Sequence, residues 1–157
     1  MIDNVQIKDL TRHPDERGYF EEIIRVTDPF FSEGFGQLSR SSMRTGVVKA
    51  WHIHKTQIDW WYVVTGTVKA ALFDVREKSG TYRELNEYIL GAGGKNSVLK
   101  IPAGVAHGLK VLQGPGELVY VTSAVYTPDE EGRIRYDDPS IGYDWVQGME
   151  ITNKNIT

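Results

Sequence analysis

The stretch Trp51–Gly66 reads WHIHKTQIDWWYVVTG. Two histidines stand at i and i+2, an aspartate follows the second by five residues, and an aromatic, β-branched run leads to a glycine. In a strand, residues i and i+2 project from the same face. His52 and His54 are therefore expected to point together into whatever that face encloses. Trp60–Val64 has the composition of a strand, with Gly66 as the turn residue closing it. Trp60 and Trp61 are adjacent and must face opposite sides, one towards the core and the other towards solvent, a partner or a ligand. Downstream, IPAGVAHGL (Ile101–Leu109) sets a tight Pro-x-Gly turn before His107, which can bring a third imidazole to the same pocket.

Working outward, short strand-like runs recur along the chain. They are expected at Val5–Leu10, Tyr19–Val26, Val47–His54, Thr67–Val75, Leu85–Leu90, Ser97–Ile101, Gly108–Leu112 and Glu117–Tyr126. HPDERG (His13–Gly18) is turn-rich, and Gly114-Pro115-Gly116 reads as a hairpin turn. Asp28–Gly36 reads as a loop or short helical turn. Gln37–Met43 is polar, and Pro128–Tyr143 is loop-like with Trp145 folding back. Many short strands punctuated by Gly and Pro, with few helical patterns, predict an all-β sandwich or barrel. GAGGK (Gly91–Lys95) lacks the spacing of a phosphate loop and reads as a plain turn.

Composition bounds the function. The chain has 157 residues, 40% of them hydrophobic and 25% charged, which suits a single domain over 1–157 with a real core. A formal charge of -3 argues against a nucleic-acid surface. There is no cysteine, so disulfides and thiolate metal sites are excluded. No apolar run reaches the length of a membrane span, and the first residues lack the apolar core of a signal peptide. The expected compartment is the cytoplasm, with no membrane partner.

Each candidate has a plain alternative. A lone strand histidine usually serves packing, but a pair at i, i+2 puts two titratable rings on one face. His107 can simply cap its turn. Asp59 can be a solvated charge at a strand edge. Tyr120 sits in an apolar strand, where a core tyrosine with a satisfied hydroxyl is the ordinary reading.

Two resemblances attach to these residues. The segment from Gly46 to Gly66, GVVKAWHIH…D…G, with PAGVAH later, resembles the cupin pattern; in its second half Asn96 replaces a glycine and Val111 an asparagine. Over nearly the whole chain the sequence resembles the dTDP-4-dehydrorhamnose 3,5-epimerase family. The blocks are DERGYFEE (Asp15–Glu22), GQLSRSS (Gly36–Ser42), GVVKAWH (Gly46–His52), DVREKSGTY (Asp74–Tyr82), IPAGVAHGL, YVTSAVYTPDEEG (Tyr120–Gly132) and DDPSIGYDW (Asp137–Trp145).

That resemblance implies a cupin-type jelly-roll homodimer acting, without metal or other cofactor, on a dTDP-4-keto-6-deoxyhexose. The C4 ketone acidifies the protons at C3 and C5. One is removed, an enolate forms, and a proton returns on the other face. A neutral histidine suits the base and a tyrosine the acid. By the family pattern these are His52 and Tyr120. Arg17 would fork onto the diphosphate. Lys49 stands where the family has an arginine, and Gln37, His54, His107 and Tyr126 would line the pocket. The N-terminal strand is implied to cross to a partner, carrying Arg17 towards its pocket.

The chain also departs from the pattern. Asp59 occupies the place of the family's pocket lysine. Asn155 stands where a C-terminal aspartate orients the basic histidine, and Val125 replaces the first tyrosine of a pair. The expectation is that Asp59 takes over as hydrogen-bond partner of His54 or His52, in a metal-free site with a less firmly held base. Two alternatives stay open. The His-x-His-Lys centre also resembles the sugar 3,4-ketoisomerases. A metal-binding cupin, either an oxygenase or a small-molecule binding protein, would use His52, His54, Asp59 and His107, a set suited to Mn, Fe, Ni or Zn.

Overall fold

A computed structural model describes residues 1–146 and the backbone of residues 153–154. Its described residues form eleven strands: β1 (Gln6–Asp9), β2 (Arg12–Asp15), β3 (Gly18–Glu21), β4 (Gln37–Met43), β5 (Val47–His54), β6 (Asp59–Asp74), β7 (Leu85–Gly91), β8 (Ser97–Ile101), β9 (Val105–Thr122), β10 (Glu131–Arg133) and β11 (Asn153–Lys154). Short 3-10 turns span Pro29–Phe31 and Pro128–Glu130.

Two long strands organise the rest. β6 and β9 pair antiparallel from Asp59↔Thr122 to Asp74↔Val105. Along one half, β8 and then β1 continue the sheet beyond β6, and β4 lies beyond β9. Along the other half, β7 lies beyond β6, while β5 and then β10 lie beyond β9. The pairing register shifts around Thr65, where the strands leave one sheet for the other. Gly66 sits at that corner with φ +82°, and a Cβ there would stand 2.5 Å from the Gln113 carbonyl oxygen. Only glycine fits both the conformation and the space.

The two halves face each other across one core. Trp61, Val63, Leu99 and Leu118 of the first sheet pack with Val68, Ala70, Leu72 and Leu109 of the second. The outer faces are covered as well, so β6 is buried on both sides along most of its length. Phe31 and Val98 pack with Trp60 and Tyr62 on one outer face. Trp51, Phe73 and Trp145 pack on the other, with the tail residues Ile134, Tyr136 and Tyr143 against them. Burying each large apolar side chain contributes about 1.5–3 kcal/mol. The architecture is the expected all-β jelly-roll sandwich.

Several local expectations are corrected. Gly66 does not end a strand, and Gly114–Gly116 is not a hairpin: in both places the chain bends and continues within β6 and β9. The polar segment Gln37–Met43 is a strand, because its alternate residues face inward while Leu38, Arg40 and Ser42 face solvent. HPDERG forms half of the β2–β3 hairpin, and the following strand stops at Glu21. The tail is not all loop, since β10 pairs with β5. β1, expected on a partner, pairs with β8 of its own chain. Trp60 and Trp61 do face opposite sides: Trp60 is buried in the outer cluster, its indole donating to the Phe30 carbonyl at 3.0 Å, and Trp61 faces the interior between the sheets, where it lines the cavity. Trp145 folds back as expected, 4.9 Å from the Trp51 ring.

Candidate active site

A cavity of about 270 Å³ opens between the sheets. β5 supplies Lys49, His52 and His54, β10 supplies Glu131, and the first half of β9 supplies His107 and Leu109. The facing sheet supplies Gln37 and Ser41 from β4, Asp59 and Trp61 from β6, and Leu118, Tyr120 and Thr122 from the second half of β9. Gln57 and Tyr126 come from connecting loops. Alternation puts His52 and His54 on the cavity face and Trp51 in the outer cluster, and the register shift between Lys49 and His52 brings Lys49 to the cavity face as well.

The His52 Nδ1 lies 2.7 Å from Glu131 Oε1. Burial is the largest influence on His52 and draws its pKa below the ordinary value; Glu131 opposes this without reversing it. The ring is therefore predominantly neutral at pH 7. Glu131 was not among the residues singled out in the sequence, because its segment reads as loop. The acidic TPDEEG run was the available signal.

Asp59 is 4% exposed and surrounded by donors. Its Oδ1 accepts from Gln57 Nε2 at 2.9 Å, and its Oδ2 from the Trp61 indole at 3.2 Å. His54 Nε2 stands 3.7 Å and His107 Nε2 3.9 Å from Oδ2, both longer than a hydrogen bond. Burial would raise the Asp59 pKa, but the imidazoles and Gln57 hold it below the ordinary range. Burial would likewise lower His54, yet Asp59 keeps it above its ordinary value. His107 is fully enclosed and pushed down to about 4 by burial. Its Nδ1 lies 3.0 Å from the Val105 carbonyl oxygen, so Nδ1 carries the hydrogen. The expectation for Asp59 is thus corrected in part. It sits beside His54 at ion-pair rather than hydrogen-bond distance, and the carboxylate on His52 is Glu131.

The rest of the cavity is polar. The half-buried Lys49 donates to Ser41 Oγ at 2.8 Å, and burial lowers its pKa. Gln37 donates to Ser39 Oγ at 2.8 Å and accepts from the Tyr126 backbone N–H at 3.2 Å. Arg17 does not join its own chain's pocket: it is exposed on the β2–β3 hairpin, paired with Asp15. Asn155 lies outside the described residues. Donor atoms of His54, Asp59 and His107 lie within 4.8 Å of one another, a set a first-row ion could use. Both Asp59 oxygens already accept hydrogen bonds, while Glu131 holds the fourth expected ligand, His52, through Nδ1 and leaves its Nε2 towards the cavity.

The sequence profile of the dTDP-4-dehydrorhamnose 3,5-epimerases matches residues 1–156. The chain belongs to that family. Within it, the spore coat polysaccharide biosynthesis protein SpsL of Bacillus subtilis (strain 168) is 43% identical over 148 residues, covering 92% of this chain and 97% of that protein. The dTDP sugar isomerase of Desulfovibrio desulfuricans G20 superposes with a TM-score of 0.88 at 28% identity, covering 96% of this chain and 95% of the other. The RmlC epimerase of Legionella pneumophila Philadelphia 1, solved with dTDP-4-keto-L-rhamnose, superposes with a TM-score of 0.85 at 29% identity, covering 96% and 82%. As a member of this epimerase family, the chain is assigned to the isomerase class. Among the described residues no helix is long and apolar enough to cross a membrane.

Proposed function

We propose that this chain epimerises a dTDP-4-keto-6-deoxyhexose by removing a proton alpha to the C4 carbonyl. The observation that carries the reading is the pairing of groups across one cavity. A neutral, carboxylate-bound His52 projects from one sheet and Tyr120 from the other. His52 Nε2 takes the proton from carbon, the electrons move onto the carbonyl oxygen, and Tyr120 returns a proton to the opposite face. His54, whose pKa Asp59 raises, lies beside the position where the family pattern has a lysine and in its protonated form would stabilise the developing enolate. Lys49, Ser41 and Gln37 line the wall suited to the sugar and diphosphate, and Tyr126 the rim suited to the base. No metal enters this scheme.

The functional unit is a homodimer in this reading. Tyr19 and Phe20 are exposed on the projecting β2–β3 hairpin that also carries Arg17, and a second copy would cover them. A nucleotide-linked sugar as substrate accords with a cytoplasmic enzyme and with neither nucleic acid nor membrane as partner.

A second reading, 3,4-ketoisomerisation of the same substrate class, draws on one observation. His52 and His54 share a strand face, and each has its own carboxylate. Incubation with a dTDP-4-keto-6-deoxyhexose in deuterated water separates the two. Deuterium at C3 or C5 of a product that remains a 4-ketone supports epimerisation. A 3-keto product supports the second reading, and no incorporation at all overturns both.

A further inference from the structure

We propose that Glu131 is the positioning residue of this site: it accepts the Nδ1 hydrogen of His52 and so leaves Nε2 as the free base facing the cavity. The inference rests on the epimerase reading for its catalytic consequence, but its structural half stands alone.

Three observations carry it. The first is the contact itself, 2.7 Å between Nδ1 and Oε1. An ionised carboxylate only accepts, so the shared hydrogen belongs to the imidazole. A neutral ring has one hydrogen, and placing it on Nδ1 leaves the lone pair on Nε2. The second is the seating of β10. Glu131 pairs with His54 and Arg133 with His52, so Glu131 lies diagonally across from His52 on the same sheet face. Gly132 between them lets the strands close up, since a Cβ there would stand 2.6 Å from Ile53 Cγ2. The strand is tied down at both ends. Glu130 accepts from the Thr56 backbone N–H and hydroxyl at 3.0 and 2.7 Å, and Ile134 exchanges two backbone hydrogen bonds with Trp51.

The third is the environment of the carboxylate. Glu131 is only 12% exposed at its side chain, and Arg133 Nε lies 3.4 Å from the same oxygen. Burial would favour the protonated acid, but His52 and Arg133 outweigh it and hold the carboxyl below its ordinary pKa. The family pattern puts the orienting carboxylate in a C-terminal block where this chain has Asn155. Glu131 supplies that group from β10, on the adjoining strand.

Nitrogen-15 NMR of the neutral His52 ring, with Glu131→Ala and Glu131→Asp beside the wild type, tests this. Wild-type His52 is expected as the Nδ1–H form. Glu131→Ala should raise the Nε2–H population and lower kcat by about 10–100-fold, the range found when the partner behind a metal-bound histidine is removed, with KM changed less than twofold. Glu131→Asp should recover part of both signals. A wild-type ring protonated on Nε2, or an Ala variant that loses activity through KM alone, overturns the proposal. If Glu131→Ala does not fold, the wild-type tautomer and the Asp variant still decide it. A protein that turns over no dTDP-4-keto sugar while showing the Nδ1–H signature refutes the epimerase reading and leaves the positioning role standing.

Discussion

Asp59 Oδ2 stands 3.7 Å from His54 Nε2, in a setting only 4% open to solvent at the carboxylate. A buried carboxylate without a cation beside it would be costly, and a buried imidazolium equally so. Asp59 accordingly raises the His54 pKa, His54 helps hold the carboxyl below its ordinary range, and Gln57 and Trp61 complete the carboxylate's hydrogen bonds. The position that carries a lysine in the family pattern here holds an acid, which raises the pKa of the neighbouring histidine.

Replacement of Asp59 by Asn should lower the His54 pKa, because the group that raises it is gone. Turnover should fall by about 10–100-fold, as for loss of a group that orients or charges its neighbour. An NMR titration and steady-state kinetics measure these. Elemental analysis of the purified wild type should find no stoichiometric transition metal. A one-to-one metal that Asp59→Asn loses would instead make His54, Asp59 and His107 its ligands.

Acid should destabilise the fold through His107. Its folded pKa is about 4, against about 6.5 in an unfolded chain. The unfolded state binds more protons between those values, so stability falls as pH drops from 6.5 to 4. His54 has the opposite sign. Its raised pKa gives stabilisation that is full below about 6.5 and fades as pH climbs through the folded value. Thermal unfolding from pH 4 to 8 should show the acid loss, and His107→Gln should flatten it.

Gly66→Ala should cost about 3 kcal/mol, combining a left-handed backbone with a Cβ pressed onto the Gln113 and Pro115 carbonyls. The midpoint of chemical denaturation reports it. An unchanged midpoint would mean that the corner between the sheets is not tightly built.

Sedimentation at micromolar concentration should show a homodimer. A single species near 17.8 kDa would count against a partner covering Tyr19 and Phe20.

The sequence carried the fold class and most of the pocket, and lost what depends on long-range pairing. Alternation placed His52 and His54 on one face because that rule is local. It misread Gly66 and Gly114–Gly116 as turns, since a glycine that bends a continuous strand looks the same locally as one that reverses it. It left Gln37–Met43 unassigned because one face of that strand meets a polar cavity instead of the core. It missed Glu131 because a three-residue strand has no periodicity of its own. Nothing local says that β10 lies against β5.

The central claim is that His52 moves the proton, and solvent-deuterium exchange into a dTDP-4-keto-6-deoxyhexose by wild type and His52→Ala tests it most directly. The wild type should incorporate deuterium alpha to the carbonyl, His52→Ala should incorporate none above the uncatalysed rate, and Tyr120→Phe should still exchange while its product stereochemistry stops short. Exchange by His52→Ala as fast as by the wild type would contradict the account.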